Sequence, residues 1–127
     1  MTEVVRGKNT KIHPGAIIYG EVEYGDNCKF QAGCILVPGV ICEDNVFIGP
    51  GVITTNDPQL DGKLVQTYFK KGCKIGAGAM IKGGVTIGAY AVVGMGAVVL
   101  EDVSQGVTVV GNPARPIKAN PAYAYYE

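Results

Sequence analysis

Ile75-Gly76-Ala77-Gly78-Ala79-Met80, Ile81-Lys82-Gly83-Gly84-Val85-Thr86, Ile87-Gly88-Ala89-Tyr90-Ala91-Val92 and Val93-Gly94-Met95-Gly96-Ala97-Val98 are four consecutive hexads that obey one rule. The first place is a branched apolar residue, the fifth is a small or medium apolar one, and glycine gathers at the second and fourth. Extending the frame in both directions finds openings at Phe69 and Val99, and earlier at Ile12, Ile18, Tyr24, Phe30, Leu36, Cys42 and Ile48. The fifth places of the earlier run are Ala16, Val22, Cys28, Cys34, Val40, Val46 and Val52. A period this short is the mark of a solenoid, in which each unit buries little alone and stability comes from stacking.

An amphipathic helix cannot keep two inward residues four apart in every six without drifting, and glycine at this density costs a helix about 1 kcal/mol per residue. Short strands joined by corners satisfy both constraints, because stacked corners need close backbone approach and φ above zero. Composition agrees: 17 Val and 11 Ile against 4 Leu favour strands. The chain has 127 residues and 47% hydrophobic content, which suits a single folded domain over residues 1–127 and excludes a disordered chain. Eleven basic and eleven acidic residues balance, so the electrostatic footprint of a nucleic-acid or membrane-surface binder is missing. The N-terminal residues have no cationic start followed by an apolar core, and a soluble cytoplasmic protein is expected. Cys28, Cys34, Cys42 and Cys73 lack C-x-x-C spacing and all fall on inward places, so they are expected as buried structural thiols with no metal role.

These hexads resemble the repeat of the left-handed parallel β-helix acyltransferases, over roughly residues 10 to 117. The resemblance implies an all-β triangular prism with three hexads, or 18 residues, per coil, and it alone supplies the left-handed crossover, since parallel strands generally cross over to the right. From Thr54 to Tyr68 the repeat lapses. The segment holds 15 residues where whole hexads would need 12 or 18, so about nine are expected to leave the prism as an external loop near 54–68. Asn56-Asp57-Pro58 and Asp61-Gly62 are turn formers that suit such an excursion.

Asp44 through Asp57, ending in Thr54-Thr55-Asn56-Asp57, is similar to the segment preceding the loop in nucleotide-sugar N-acetyltransferases. That likeness implies acetyl-CoA as donor, an amino sugar on a nucleoside diphosphate as acceptor, and Thr55 and Asn56 beside the acceptor amine. An asparagine carbonyl can accept from an amine and aim its lone pair at a thioester carbon. Asp57 either receives the proton or caps the turn. The Pro-Arg that often follows is replaced by Pro58-Gln59-Leu60, which puts the identity of the acceptor in question.

Many members of the family use histidine to activate a hydroxyl. The sole histidine here, His13, belongs to the first coil, in a column with Gln31 and Gly49, some 9 to 10 Å from the level of the loop at normal strand spacing. N-acetylation is therefore favoured over O-acetylation, because a neutral amine needs no base before attack. One histidine also cannot supply the three-histidine zinc site of a β-helix carbonic anhydrase, and no metal is expected.

Ala77 and Met95, 18 residues apart and flanked by Gly76 and Gly94, match the positions along which the family lays the pantetheine arm of coenzyme A between two subunits of a homotrimer. Gly111-Asn112-Pro113-Ala114-Arg115 resembles the ending of coenzyme A-dependent members, making Arg115 and Lys118 candidate phosphate ligands, with Lys82 a further one. A short tail follows. The competing readings are an O-acetyltransferase of a small hydroxylated acceptor that uses His13, and a non-catalytic trimeric scaffold.

Overall fold

The computed structural model describes residues 4–117; Lys118 and the tail beyond it lie outside the described residues. Strands two or three residues long alternate with tight corners, and parallel pairing stacks them into three faces. The first face contains Lys11–Ile12, Lys29–Phe30, Phe47–Ile48, Lys74–Ile75, Val92–Val93 and Thr108–Val110, with Arg115–Pro116 added antiparallel at its end. The second contains Ile17–Ile18, Ile35–Leu36, Ile53–Thr54, Met80–Ile81 and Val98–Val99. The third contains Glu23–Tyr24, Val40–Cys42, Thr67–Phe69 and Thr86–Ile87. The chain visits the faces in that order on every coil. No helix occurs among the described residues, and the fold is the expected left-handed parallel β-helix.

Register shows why the period is six. Ile12 pairs with Phe30 and Phe30 with Ile48, a step of 18, whereas Ile48 pairs with Ile75 across a step of 27. The nine extra residues are the external loop. Its neck closes where Val65 N–H donates to Asn56 O at 2.9 Å, so residues 57–64 stand outside the prism. At the far end the step falls to 16, Val93 pairing with Val109 and Ile87 bridging Val103. Val103 therefore occupies a first place on the third face, and the final coil is two residues shorter than the repeat predicts.

First- and fifth-place residues from Val22 to Val103 form one continuous buried core. In the terminal coil, which has a neighbouring coil on one side only, Ile12 is 44% exposed and Ala16 and Ile18 are half-buried. Gly76 and Gly78 show the two uses of glycine. A Cβ on Gly76 would stand 2.6 Å from Met95 N and 2.9 Å from Val93 O, so only glycine lets these coils approach. Gly78 turns the corner with φ +71°, the left-handed region that costs a side chain.

All four cysteines are free and buried. Burial raises every thiol pKa, that of Cys34 to about 11 and that of Cys73 to about 12. A raised pKa depletes the nucleophilic thiolate below it, so the native protein is expected to resist a disulfide exchange reagent at mildly alkaline pH. All four thiols should react once denaturant is added, and rapid titration of a native thiol would contradict their core role.

Candidate functional site

Two corners of the prism carry the candidate residues. At the corner between the second and third faces, two buried threonines hold the roots of the loop. Thr54 replaces the usual apolar first-place residue, and its hydroxyl donates to Ile35 O at 2.8 Å while accepting from Val37 N–H at 3.1 Å. Thr67 accepts from Gly84 N–H at 3.0 Å. Thr55 donates to Ile81 O and accepts from Gly83 N–H, at 2.9 and 2.8 Å.

Asn56 is then held from several sides. Its Nδ2 donates to Pro38 O at 2.9 Å and its backbone carbonyl receives Val65 N–H. The side-chain carbonyl Oδ1 has no donor among the described residues and is left as an acceptor at the mouth of the loop. Asp57 behaves differently. Its two carboxylate oxygens accept from Asp61 and Gly62 N–H, each at 3.1 Å, so it caps the turn from which the loop is built. Lys82 stands at this same corner, exposed, one residue before Gly83.

The corner between the first and second faces carries Gly49, Gly76 and Gly94 in one column, with Pro50, Ala77 and Met95 beside them. At the other corners some third-place amides are met by side chains: Asp44 accepts from Asp26 N–H, Thr55 from Gly83 N–H and Glu43 from Lys71 N–H. Those of Ala77 and Met95 have no acceptor among the described residues. They stand one coil apart, about 5 Å, a spacing that suits successive amide carbonyls of an extended arm. Gly76, Ala77 and Met95 form one edge of a groove of about 890 Å³ that continues over the first face past Ile75 and Phe47.

His13 belongs to this column too, at its N-terminal end, half-buried, its backbone N–H donating to Phe30 O. It lies two coils from Gly49 and a face away from Asn56. Arg115 is not in the groove; it lines a small cavity of about 130 Å³ at the C-terminal end of the prism with Glu101, Asp102 and Ser104. Among the described residues no cluster of His, Cys, Asp or Glu has the composition to hold a metal ion.

Asn56 and the Ala77–Met95 column are thus not brought together within one chain. The whole strand Met80–Ile81 and its corners separate them, roughly 15 Å of backbone. The face between them is the second, whose outward residues are Ile17, Ile35, Ile53, Met80 and Val98, stacked in register without a polar interruption. Met80 is 45% and Ile17 51% exposed in the single chain. Outward columns on the other faces mix lysine, glutamate and threonine with apolar residues.

Residues 67–101 match the family model for the bacterial transferase hexapeptide, six repeats. The serine acetyltransferase of Buchnera aphidicola subsp. Schizaphis graminum is 36% identical over 107 residues, 84% of this chain and 40% of the relative. A hexapeptide-repeat acetyltransferase from Vibrio cholerae O1 biovar eltor, solved with acetyl coenzyme A, superposes with a TM-score of 0.81 at 25% identity, covering 89% of this chain and 69% of that one. AntD, an N-acyltransferase from Bacillus cereus solved with dTDP and 3-hydroxybutyryl-CoA, gives 0.81 at 25% identity over 96% and 75% of the two chains. The chain belongs to the hexapeptide-repeat transferase family. It spans about half the length of the curated relatives it matches, from 40% to 56%.

Proposed function

We propose that the chain is an acetyl-CoA-dependent acyltransferase that works as a homotrimer and N-acetylates an amino sugar carried on a nucleoside diphosphate. The observation that carries this reading is the placement of two half-sites on opposite edges of the one wholly apolar face. Three prisms that bury their second faces around a three-fold axis bring the Ala77–Met95 edge of each subunit against the Asn56 edge of the next. Leu60 and Leu64, 89% and 62% exposed on the loop, would gain apolar cover from the neighbour in the same step.

In the assembled site the free amides of Ala77 and Met95 would fix the pantetheine arm. Asn56 Oδ1 accepts one N–H of the acceptor amine and turns the nitrogen lone pair to the thioester carbon. The C–N bond forms, the tetrahedral intermediate collapses with cleavage of C–S, and the ammonium proton passes to the departing thiolate. No base is required before attack, which suits a corner whose carboxylate, Asp57, is engaged by loop amides. Likeness to AntD, an N-acyltransferase bound to dTDP, supports the nucleotide-linked acceptor.

Likeness to serine acetyltransferase favours a hydroxyl acceptor instead, but that reaction needs a base, and His13 is two coils from Gly49. The test is thiol release from acetyl-CoA with UDP-, dTDP- and GDP-linked amino sugars and with serine as acceptors. Release with a nucleotide amino sugar and formation of its amide are expected. Release with serine alone would establish the hydroxyl reading, and release with none would leave the trimer as a scaffold.

A further inference from the structure

The first face presents a column that the acyl-donor site does not use. Lys11, Lys29, Phe47 and Lys74 point outward in register, one per coil, and Lys29, Phe47 and Lys74 form the floor of the 890 Å³ groove. The strands of this face contain no carboxylate. The acidic residues at its bordering corner are directed elsewhere: Asp26 accepts from Lys8 N–H and Asp44 from Asp26 N–H, both at 2.7 Å, while Glu43 pairs with Lys70. Lys29 makes no ion pair with a described residue. The strands of the second and third faces carry no outward lysine.

We propose that Lys29, beside Phe47 on its N-terminal side, holds the diphosphate of the nucleotide-linked acceptor; this deepens the acceptor reading above and rests on it. Lys29 is one coil from Phe47, about 5 Å between backbones, and its ammonium extends roughly 6 Å on its stem. It can turn over Phe47 to meet a doubly charged group. Phe47 supplies a flat apolar surface beside it for the sugar or base.

Coenzyme A also carries a diphosphate, and coil position separates the two sources. Asn56 follows Phe47 in the same coil, so the thioester must arrive at that level. The donor column climbs from there through Ala77 to Met95, which carries the phosphates of coenzyme A toward the C-terminal end. Lys29 lies on the opposite side of Phe47, one coil toward the N-terminus. It is therefore assigned to the acceptor.

The experiment is calorimetric titration of UDP, dTDP and GDP, and separately of acetyl-CoA, into the wild-type chain, Lys29→Ala and the control Lys8→Ala, whose exposed side chain is outside the proposed site and whose backbone bond to Asp26 survives the change. At least one nucleoside diphosphate should bind the wild type, Lys29→Ala should weaken it about tenfold, and acetyl-CoA affinity should stay within about twofold. Lys8→Ala should alter neither. Equal weakening of acetyl-CoA by Lys29→Ala would assign Lys29 to coenzyme A and overturn the proposal. So would unchanged nucleotide affinity in Lys29→Ala, or the absence of nucleotide binding to a wild type that binds acetyl-CoA; in that last case the acyltransferase reading survives. Failure of that reading shows differently, as absence of acetyl-CoA binding and of thiol release.

Discussion

Asn56→Ala is expected to lower kcat for amide formation about a hundredfold while leaving the affinity for acetyl-CoA unchanged. The side chain is held on one side only: Nδ2 is committed to Pro38 O, and Oδ1 is left to orient the amine. Alanine removes the acceptor for the substrate N–H and leaves the backbone bond between Asn56 O and Val65 N intact, so the loop neck should persist. Steady-state kinetics together with a thermal melt separate the two roles. A variant with wild-type kcat would remove Asn56 from the reaction; one with a collapsed melting temperature would make it a structural anchor of the loop.

Ile53→Glu is expected to turn the trimer into monomers and abolish turnover while preserving the β-helix. Ile53 is the middle residue of the outward apolar column on the second face, and three carboxylates brought together around the axis would face repulsion and desolvation that far exceed one subunit contact. Light scattering after size exclusion reads the assembly, circular dichroism the fold, and thiol release the activity. An active monomer would refute the shared site.

Subunit mixing tests the same idea with the trimer intact. Asn56→Ala destroys the acceptor edge, and Ala77→Trp fills the donor edge. Each homotrimer should be inactive, yet an equal mixture assembled from unfolded chains should recover about a quarter of wild-type activity, because half the interfaces receive a sound donor edge and half of those a sound acceptor edge. No recovery would place both half-sites in one chain.

Much of this molecule is legible along the chain. First and fifth places name the core nearly residue by residue because a corner every six residues sends the same two places inward on each face. Counting also yields the nine-residue insertion, since a register offset must be absorbed outside a stack that pairs strand to strand. Legibility weakens where coils differ. The final coil is two residues short, so Val103 changes its place, and nothing in its local sequence shows this. Thr54 and Thr67 occupy inward places as polar residues, a signal available from the frame, but their bonding partners Ile35, Val37 and Gly84 belong to other coils. The engagement of Asp57 depends on how residues 57–62 turn back on themselves, a matter of loop geometry.

The sequence alone determined the solenoid, its core and the position of the loop, because in a repeat one local rule is applied thirteen times; Asn56, Ala77 and Met95 became candidates through the resemblance to the β-helix acyltransferases. The sequence did not determine that Asn56 and Ala77 stand on different corners with a bare apolar face between them, or that Lys29, Phe47 and Lys74 form the floor of one groove. Those relations depend on which face each outward residue joins and on a step of 27 in place of 18 across the loop. Both are properties of coils stacked in space, where residues far apart in the chain become neighbours 5 Å apart.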